Sequence, residues 1–435
     1  MTKLVKFYLY DFLADSNELD MDLIKKKLYS MGIQSKIYYE DNLMIIYNIY
    51  NNSNTELQIE CRSVVLNTYT RQIISYGCNT IKLAHENYNL QEYFNHIDKN
   101  DVCSKCYEGS YMSLFYFNDK WYFSTRKIIK VNNTIEHKQY TMFLEIVNKL
   151  GYDDVEKFYD TLDKSLNYHY IIVHHNNKDI IDYTNIFGKE YMFLYLVSIK
   201  DINMIELDIN DYVYPYDTYT HYKKLELTTY KDYVMENSIL TNPVENEGVV
   251  IRSFNNNKYT VFKFQTISYL FEKYSKICKV VGLMVLYQTN KLYLYPNYNK
   301  DIDIDDINIS PYNLIDYTYK CIAMEFLYLC NFFWNNNIQN NKKIYFQLSK
   351  EYKYLLYKIR NLKINSLIYT DADINLALCI LKQININKII NILHYRKNFN
   401  STITFNINNS HYHEYENVCN LVYNLIITKK IIVNM

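Results

Sequence analysis

Apolar and polar residues alternate with two different periods along the chain, and the change of period divides it into two parts. Near the start, residues 18–33 carry apolar side chains at helical spacing, so we predict a helix there. Over 35–85, short apolar runs separated by Asp, Asn and Ser predict strands and turns. The clearest local prediction is a hairpin over 110–126, with Asn118 and Asp119 at its tip.

Elements of both kinds follow. The pattern predicts a helix over 136–149, strands over 167–173, 178–183 and 190–199, and a second hairpin over 248–264. Beyond residue 268 it predicts helices over 268–289, 313–335, 343–362, 371–393 and 411–430. We expect Asp371 and Asp373 to cap the helix that they begin. The chain is therefore predicted to be α+β, with an antiparallel-sheet domain over 1–270, a boundary near 265–300 and a mostly helical domain over 290–435.

Composition narrows the class of protein. The 435 residues include 47 Lys and Arg against 47 Asp and Glu, so a polyanion must be held by a local basic site rather than by global attraction. The 50 tyrosines accompany many Asn, Ile and Lys, a pattern typical of codons rich in A and T. Tyrosine abundance alone therefore does not indicate base stacking. The length allows two or three domains with buried cores and excludes collagen-like and disulfide-scaffold proteins.

Cysteine use and hydropathy indicate the compartment. Nine cysteines, an odd number without regular spacing, predict reduced thiols in a cytoplasmic protein. Asp11 interrupts the apolar run that an export signal needs. The most apolar stretch, 321–334, is too short to cross a bilayer and contains Glu325. We therefore expect a buried helix there and no membrane partner, while the oligomeric state is not indicated.

Three short segments combine residue types that phosphoryl chemistry uses. A lysine that loses its proton can attack phosphorus, a carboxylate can hold a divalent metal on phosphates, and a second lysine can neutralise charge in the transition state. Each segment alone arises easily by chance, so their order and spacing carry the signal. The segments are Lys105-Cys-Tyr-Glu-Gly-Ser110, Glu245-Asn-Glu-Gly-Val-Val-Ile-Arg252 and Tyr259-Thr-Val-Phe-Lys-Phe-Gln-Thr266.

With their flanking strands, these segments resemble the adenylating domain of the phage tRNA-repair type of ATP-dependent RNA ligase, within the covalent nucleotidyltransferase superfamily. The resemblance runs through most of residues 1–270. The segments before the family's nucleophile are similar to Glu60–Asn67 and Arg71–Tyr76, and its first motif with the sequel is similar to Glu108-Gly109-Ser110 and Trp121–Thr125. The third motif is similar to Tyr168–Tyr183, and the strand that stacks on the base is similar to Tyr191–Asp201. The fourth motif is similar to Glu247-Gly248, and the fifth is similar to Phe262–Gln265.

The resemblance implies an antiparallel, ATP-grasp-like ligase fold and a three-step reaction with ATP and Mg²⁺ or Mn²⁺. A lysine forms a lysyl-AMP, AMP passes to an RNA 5′-phosphate, and a 3′-hydroxyl displaces AMP to seal the strand, as in RNA or tRNA repair. The helical domain would then help to hold the RNA. By the same resemblance, Lys105 is the nucleophile, Arg62, Glu108 and Gly109 hold the nucleotide, Glu247 binds the metal, and Lys263 and Gln265 contact the phosphate.

The sequence departs from the family's motifs at four positions. The family's nucleophile lies three residues before the motif glycine, which is Cys106 here, whereas Lys105 lies four before it. A one-residue shift on a strand turns a side chain to the other face unless a bulge re-aims it. Ile171 falls where the third motif supplies a Glu, Gln265 replaces a second Lys of the fifth motif, and Ser63 replaces the Gly after the early Arg.

The leading prediction is an ATP-dependent RNA ligase, and two alternatives remain open. The chain is an ATP-dependent RNA ligase, a catalytically inactive relative that binds nucleotide, RNA ends or proteins, or another transferase of AMP or GMP, as in cap formation. The orientation of one strand separates the first two: Lys105 and Glu247 in one pocket favour catalysis, whereas Cys106 in its place favours binding. The codon bias together with the resemblance suggests a viral source, with the protein in the cytoplasm of an infected host cell.

Other motifs favour structural interpretations. Cys103-Ser-Lys-Cys106 lacks the second pair of a zinc site, His174-His175 and His411-Tyr-His413 lack partners, and Asp301–Asp306 lacks the Gly and Glu of a calcium loop. The sequence contains no Walker loop, which argues against a fused kinase domain. The helical domain carries lysines interleaved with tyrosines, which form a phosphate-tracking face or, as the sequence favours, a solvated helix surface. These residues are Lys342, Lys343, Lys350, Lys353, Lys358 and Lys363, with Tyr345, Tyr352 and Tyr357.

Overall fold

The chain divides into two compact units. The computed structural model describes residues 7–16, 19–48, 55–83, 102–130, 138–207, 240, 243–255, 258–304, 307–334, 338–362, 369–399, 405, 407 and 409–428. The first unit comprises Met1–Lys82, His96–Val234 and Pro243–Phe264, and the second Leu83–Asn95, Met235–Asn242 and Gln265–Met435. The assignment of domains over 1–270 and 290–435 stays a prediction.

The first unit mixes short helices with antiparallel strands, which confirms the α+β prediction. Its helices are α1 (Tyr8–Ala14), α2 (Met21–Ser30), α3 (Glu56–Glu60), α4 (Lys138–Lys149), α5 (Val155–Tyr159) and α6 (Thr184–Phe187). Its strands are β1 (Ile33–Tyr38), β2 (Leu43–Asn48), β3 (Val64–Asn67), β4 (Ile73–Tyr76), β5 (Lys82–Leu83), β6 (Val102–Cys106), β7 (Ser110–Phe117), β8 (Lys120–Thr125), β9 (Ile129–Lys130), β10 (Asn167–His174), β11 (Met192–Lys200), β12 (Gly248–Asn255) and β13 (Lys258–Gln265).

Three sheets organise these strands. Their orders are β1-β2-β3-β4, β11-β10-β7-β8-β9 and β5-β13-β12-β6. The pairs β1–β2, β7–β8, β7–β10, β10–β11 and β6–β12 are all antiparallel. The first sheet packs its apolar face on α1, α2 and α3, in a core that includes Leu9, Ile24, Leu57 and Val64.

The β7–β8 hairpin forms where the sequence predicts it. Asn118 and Asp119 both adopt positive φ, 47° and 62°, as a two-residue turn that matches the strand twist requires, and Asn and Asp tolerate that conformation. Phe117 pairs with Lys120 across the turn. The predicted hairpin over 248–264 is also present as β12 and β13, although its tip at 256–257 lies outside the described residues.

The predicted strand over 178–183 is wrong. The Glu108 carboxylate accepts hydrogen bonds from the N–H groups of Ile180 and Ile181, at 2.8 and 2.7 Å, which a strand would give to a neighbour. Asp182 turns the chain further, because its carboxylate accepts from the Thr184 N–H at 3.1 Å. Side-chain acceptors therefore replace the ladder, and the segment is a loop that enters α6.

The second unit is mostly helical. Its helices are α7 (Ile267–Ser275), α8 (Lys279–Gln288), α9 (Pro311–Trp334), α10 (Ile338–Gln347), α11 (Lys350–Arg360), α12 (Asp371–Lys382), α13 (Ile386–Phe399) and α14 (Tyr412–Thr428). Strands β14 (Ile302–Ile304) and β15 (Ile307–Ile309) pair antiparallel, with β14 in the acidic 301–306 segment and β15 directly after it. Three helices predicted as continuous, over 268–289, 343–362 and 371–393, are each two helices.

One predicted helix cap is corrected. The N-cap of α12 is Thr370, whose hydroxyl accepts from the Asp373 N–H at 3.3 Å, while the Asp373 carboxylate accepts from the Thr370 N–H at 2.9 Å. This reciprocal pair is a capping box, so Asp373 acts from the third helical position and Asp371 does not cap the helix.

Helix α9 crosses the core of the second unit and carries a buried ion pair. Glu325 and Arg396 are 2% and 3% exposed, and Arg396 Nε lies 2.8 and 2.9 Å from the two Glu325 oxygens. The Tyr412 hydroxyl also donates to Glu325, at 2.8 Å. The stretch that the sequence predicts to be a buried helix therefore contains Glu325, whose charge neutralises the buried Arg396 of α13.

The apolar helices are short. Within the described residues, no single helix has both the length and the apolar character needed to cross a membrane, while the bent pair Asp371–Lys382 and Ile386–Arg396, at 119°, meets the criteria of length and composition only when joined. Both helices contribute buried residues to the core of the second unit.

Candidate functional site

Strands β6, β12 and β13 of the first unit bring together two predicted site residues, Glu247 and Lys263, and the cysteine that follows Lys105. Cys106 ends β6 opposite Gly248, which begins β12 directly after Glu247. The Cys106 thiol donates to Glu247 Oε2 at 3.3 Å. Glu247 Oε1 forms an ion pair with the Lys263 ammonium on β13. We call Cys106, Glu247 and Lys263 the inner trio.

The inner trio balances its own charge in a nearly dry environment. Cys106 is 8% and Glu247 2% exposed, and the Lys263 side chain is 18% exposed. Burial, followed by the negative charge of Glu247, raises the pKa of Cys106 to about 12, so the thiol keeps its proton near neutral pH. Burial opposes the charge on Lys263, but Cys106 and Glu247 outweigh it and raise the pKa of Lys263. A carboxylate, an ammonium and a neutral thiol therefore sum to zero.

Lys105 leaves the other face of β6. It lies opposite Val249, and the pairing over Val102–Cys106 contains no bulge that would re-aim it. Its ammonium is 5.2 Å from the centroid of the Tyr107 ring. Burial lowers the pKa of Lys105, and the charge of Glu245 partly opposes this shift. The structure thus pairs Cys106, rather than Lys105, with the two residues predicted to bind metal and phosphate.

Glu108 holds a loop. Besides Ile180 and Ile181, its carboxylate accepts weakly from the Asp179 N–H at 3.4 Å, and its own N–H donates to the Tyr183 hydroxyl at 2.8 Å. A carboxylate committed to backbone N–H groups would have to exchange them to bind a ribose. The ribose contact stays a prediction.

Gly109 permits a close approach of two strands. A Cβ at this position would lie 2.3 Å from the carbonyl oxygen of Ile172 and 2.7 Å from a methyl group of Ile171. The motif glycine therefore has a packing reason that is independent of any nucleotide. Ile171, at the position where the third motif supplies a Glu, contributes to the same tight contact.

Arg62 belongs to a second group of polar side chains, which lies near the end of β4. Its guanidinium donates to Cys78 Sγ at 3.2 Å. Close by in sequence, the carbonyl of Gly77 accepts from the Lys200 ammonium at 2.6 Å, and that ammonium is 4.2 Å from the Tyr76 ring centroid. Lys200 is fully buried, and burial lowers its pKa to about 8 although Glu206 opposes the shift. Arg62 therefore takes part in a contact set other than the inner trio.

His169 continues this second group. Its Nδ1 lies 2.9 Å from the Tyr111 hydroxyl, while its buried Nε2 has no hydrogen-bond partner among the described residues. Burial, followed by the charges of Lys200 and Arg252, lowers the pKa of His169 well below its usual value. Arg252 in turn lies 3.7 Å from Glu206. The imidazole is therefore neutral.

An aromatic cluster surrounds Tyr107. Its ring centroid lies 4.8–6.1 Å from those of Tyr183, Phe187, Phe193 and Tyr195. Tyr195 also donates to the Lys105 carbonyl at 2.8 Å. The strand predicted to stack on a base, β11, thus presents two of its aromatic rings to Tyr107.

A divalent metal would have one carboxylate in the inner trio. Among the residues that the structure describes, no group of three or more His, Cys, Asp and Glu side chains is arranged to hold a metal. Mg²⁺ commonly binds through one or two carboxylates together with substrate phosphates. Glu247 fits that mode if it releases Lys263 and Cys106. Gln265, two residues after Lys263, is half-buried at the end of β13.

Several of these residues were missed from the sequence. Lys200, His169 and Arg252 lie in otherwise apolar strand segments, and a charged or titratable residue in such a run is the signal that marks them. Cys103-Ser-Lys-Cys106 was considered from the sequence only as a zinc site, so the contact between Cys106 and Glu247 was not predicted. His174 lies 2.8 Å from Glu145, a partner that its sequence neighbours do not reveal.

Comparisons with known proteins yield ligases among solved structures. No protein-family model and no curated protein matches the chain. A protein from Aquifex aeolicus assigned as an ATP-dependent DNA ligase is 12% identical, with 87% of this chain and 80% of that one covered and a TM-score of 0.39. An archaeal ATP-dependent RNA ligase is 9% identical, with 62% and 68% covered and a TM-score of 0.36.

A Naegleria gruberi RNA ligase variant, solved with ATP and Mn, is similar over a shorter stretch. It is 16% identical, with 42% of this chain and 53% of that one covered and a TM-score of 0.29. The structural neighbours are thus ATP-dependent DNA and RNA ligases. At these TM-scores the likeness decides neither fold nor function, and the chemistry of the site rests on its own geometry.

Proposed function

We propose that the first unit binds a nucleotide or a phosphorylated RNA end without forming a covalent lysyl-nucleotide. One observation carries the proposal: Cys106, at the motif spacing of the nucleophile, contacts Glu247 and is grouped with Lys263. Lys105 leaves the opposite face of the same strand. The motif resemblance supports the choice of ligand, and the orientation of β6 supports binding over transfer.

The chemistry of Cys106 supports the absence of transfer. Formation of a lysyl-AMP requires an uncharged amine that attacks phosphorus. Cys106 offers a thiol whose pKa is raised to about 12, and the thiolate, not the thiol, is the nucleophilic form. Because the Glu108 carboxylate is committed to the 179–181 loop, recognition in this proposal rests on phosphate rather than on a ribose contact.

Lys263 is the residue best placed to recognise phosphate in this proposal. Its ammonium is charged and is held by Glu247. An incoming phosphate would compete with that carboxylate for the ammonium, and Glu247 would then be released. Mg²⁺ or Mn²⁺, when bound with the nucleotide, would neutralise phosphate charge beside the freed carboxylate. Arg62 remains a candidate nucleotide contact from the sequence resemblance.

The RNA ligase is the second candidate, and one observation favours it. Burial lowers the pKa of Lys105, which increases the fraction of uncharged amine available at neutral pH. The amine would form the phosphoramidate bond to the α-phosphate and release pyrophosphate. Transfer of AMP to an RNA 5′-phosphate and sealing by a 3′-hydroxyl would follow. This candidate requires a ligand on the Lys105 face of β6.

The deciding experiment uses the full chain with α-labelled ATP, α-labelled GTP or a 5′-phosphorylated RNA, each tested separately in Mg²⁺ or Mn²⁺. Binding is measured at equilibrium, and covalent transfer is measured as label that survives denaturation. Three variants are compared with the wild type: Lys105→Ala, Cys106→Lys and the matched control Cys106→Ser. The Cys106→Lys change places an amine beside Glu247 and Lys263, whereas serine keeps the size of the thiol.

We expect the wild type to bind nucleotide reversibly without covalent label. We expect Cys106→Lys to carry covalent label and Cys106→Ser to carry none. Label on the wild type that disappears in Lys105→Ala would establish the ligase candidate instead. Label from GTP alone would indicate a capping-like transferase. Absence of reversible binding for both nucleotides and for 5′-phosphorylated RNA would refute the proposed function.

A further inference from the structure

The second unit carries a dense group of exposed aromatic side chains at the end of α10 and along α11. Phe346 is 70%, Tyr354 43% and Tyr357 62% exposed. Nine large aromatic side chains are exposed in the described part of the chain, and these three fall within residues 346–357. A grouping of this kind marks a contact surface more often than isolated exposed rings do.

Helix α11 separates a buried face from an exposed one. Tyr352, Leu355, Leu356 and Ile359 are buried in the core of the unit. Tyr354 and Tyr357 are three residues apart and therefore lie side by side on the opposite face. Tyr352, one of the tyrosines singled out from the sequence, is thus a core residue, and Tyr354 takes its place in the exposed group.

The same surface is positively charged. Helix α11 contains Lys350, Lys353, Lys358 and Arg360 against a single acid, Glu351. The sequences of α10 and α13 contain no Asp or Glu. In a chain with zero net charge, this segregation creates the local basic site that binding of a polyanion requires.

Cations flank one exposed ring from two helices. The Lys358 ammonium is 5.5 Å and the Lys388 ammonium of α13 is 5.0 Å from the Tyr354 ring centroid. Lys353 is occupied differently, since it donates to the Phe346 carbonyl at 2.9 Å. Lys363 and the side chain of Lys343 lie outside the described residues.

We propose that this surface binds single-stranded nucleic acid, with bases stacked on Tyr354 and Tyr357 and phosphates held by Lys350, Lys358 and Lys388. Flat aromatic faces beside lysines suit unpaired bases, because every base offers a π-face and every nucleotide a phosphate. Stacking of this kind does not use the 2′-hydroxyl, so RNA and DNA strands are expected to bind alike. The surface belongs to the second unit and is independent of the nucleotide site proposed in the first.

The test measures fluorescence anisotropy of a labelled oligonucleotide, about 12 nucleotides long, with the full-length protein. An adenine-rich RNA, the DNA of the same sequence and a blunt duplex are compared between about 50 and 200 mM salt. Tyr354→Ala and Tyr357→Ala test stacking, and Lys358→Gln tests phosphate contact. Tyr69→Ala is the matched control, because Tyr69 is 88% exposed in the first unit.

We expect each of Tyr354→Ala and Tyr357→Ala to weaken single-strand binding by about fivefold or more, the low end of a lost base stack. Lys358→Gln should reduce the slope of log affinity against log salt by about 0.7. All variants should keep the wild-type melting temperature, since the changed side chains are exposed, and α-labelled nucleotide binding should be unchanged.

Three outcomes would overturn the proposal. They are single-strand affinity within twofold of wild type for both tyrosine variants, an equal loss in Tyr69→Ala, and duplex binding as tight as single-strand binding. Failure here with intact nucleotide binding would reject the α11 surface alone. Loss of nucleotide binding with intact oligonucleotide binding would reject the function proposed for the first unit alone.

Discussion

Replacing Lys263 by Met tests how strongly the inner trio depends on its only cation. Glu247 is 2% exposed, so the change leaves a carboxylate in a dry site without its ion-pair partner. Removing one member of a buried pair typically costs about 3–5 kcal/mol. The Lys263 side chain is 18% exposed and water reaches it, so we expect the low end, about 3 kcal/mol in the free energy of unfolding of the first unit.

The positions of the tryptophans allow the free energy of unfolding to be measured for the first unit alone. The chain has two tryptophans, and Trp121 lies in β8 of the first unit whereas Trp334 ends α9 of the second. In a Trp334→Phe background, urea unfolding followed by fluorescence reports Trp121 alone. The control Lys189→Met removes an exposed lysine from the same unit and should change the free energy by less than about 0.5 kcal/mol.

The pH dependence supplies a second check on Lys263. Its pKa is raised in the folded state, so the stabilisation is fully present below the unfolded lysine value near 10.4 and is lost only above it. Lys263 should therefore add no pH dependence to the wild-type stability between about pH 6 and pH 9. A cost within about 0.5 kcal/mol of the Lys189→Met control, which is the noise of such measurements, would refute the view that the trio is a buried, self-neutralising group.

Three further predictions concern other buried features. Burial lowers the pKa of Lys200 to about 8, so the folded state resists protonation of this amine. The free energy of unfolding of the wild type should therefore rise between about pH 8 and 10 by roughly 2–3 kcal/mol relative to that of Lys200→Met, as measured in paired urea titrations. Gly109→Ala should destabilise the first unit by about 1–3 kcal/mol in the same assay, because its methyl group would collide with the Ile172 carbonyl, and a neutral effect would contradict the close approach of the two strands. In the second unit, followed by Trp334 fluorescence in a Trp121→Phe background, Arg396→Met should cost about 3–5 kcal/mol, whereas adding Glu325→Leu should recover most of the loss; no recovery would show that the pair is not the cause.

Local chemistry made much of the fold predictable. The β7–β8 hairpin follows from an Asn-Asp pair between alternating runs, since both residues tolerate the positive φ that the turn needs. The helices of the second unit follow from their spacing, although breaks such as Gln383 before α13 do not interrupt the apolar pattern and were missed. Thr370 was overlooked as a cap because Asp371 is an equally good capping residue by type.

Long-range contacts made the rest unpredictable. The 178–183 segment has strand-like composition, and only the carboxylate of Glu108, about seventy residues earlier, removes its N–H groups from a ladder. For the candidate site, the sequence supplied Glu247, Lys263 and the ambiguity between Lys105 and Cys106. The strand register resolves which of those two side chains lies with Glu247, because register depends on pairing with β12 rather than on local composition.

The opposite orientations of Lys105 and Cys106 have an evolutionary consequence. Deleting Cys106 would place Lys105 three residues before Gly109 and opposite Gly248, and so on the face of β6 that carries Glu247 and Lys263. Tyr107 and its aromatic neighbours would keep their place in the chain order. On the function proposed above, the loss of one codon would therefore place the lysine, rather than the cysteine, beside Glu247 and Lys263.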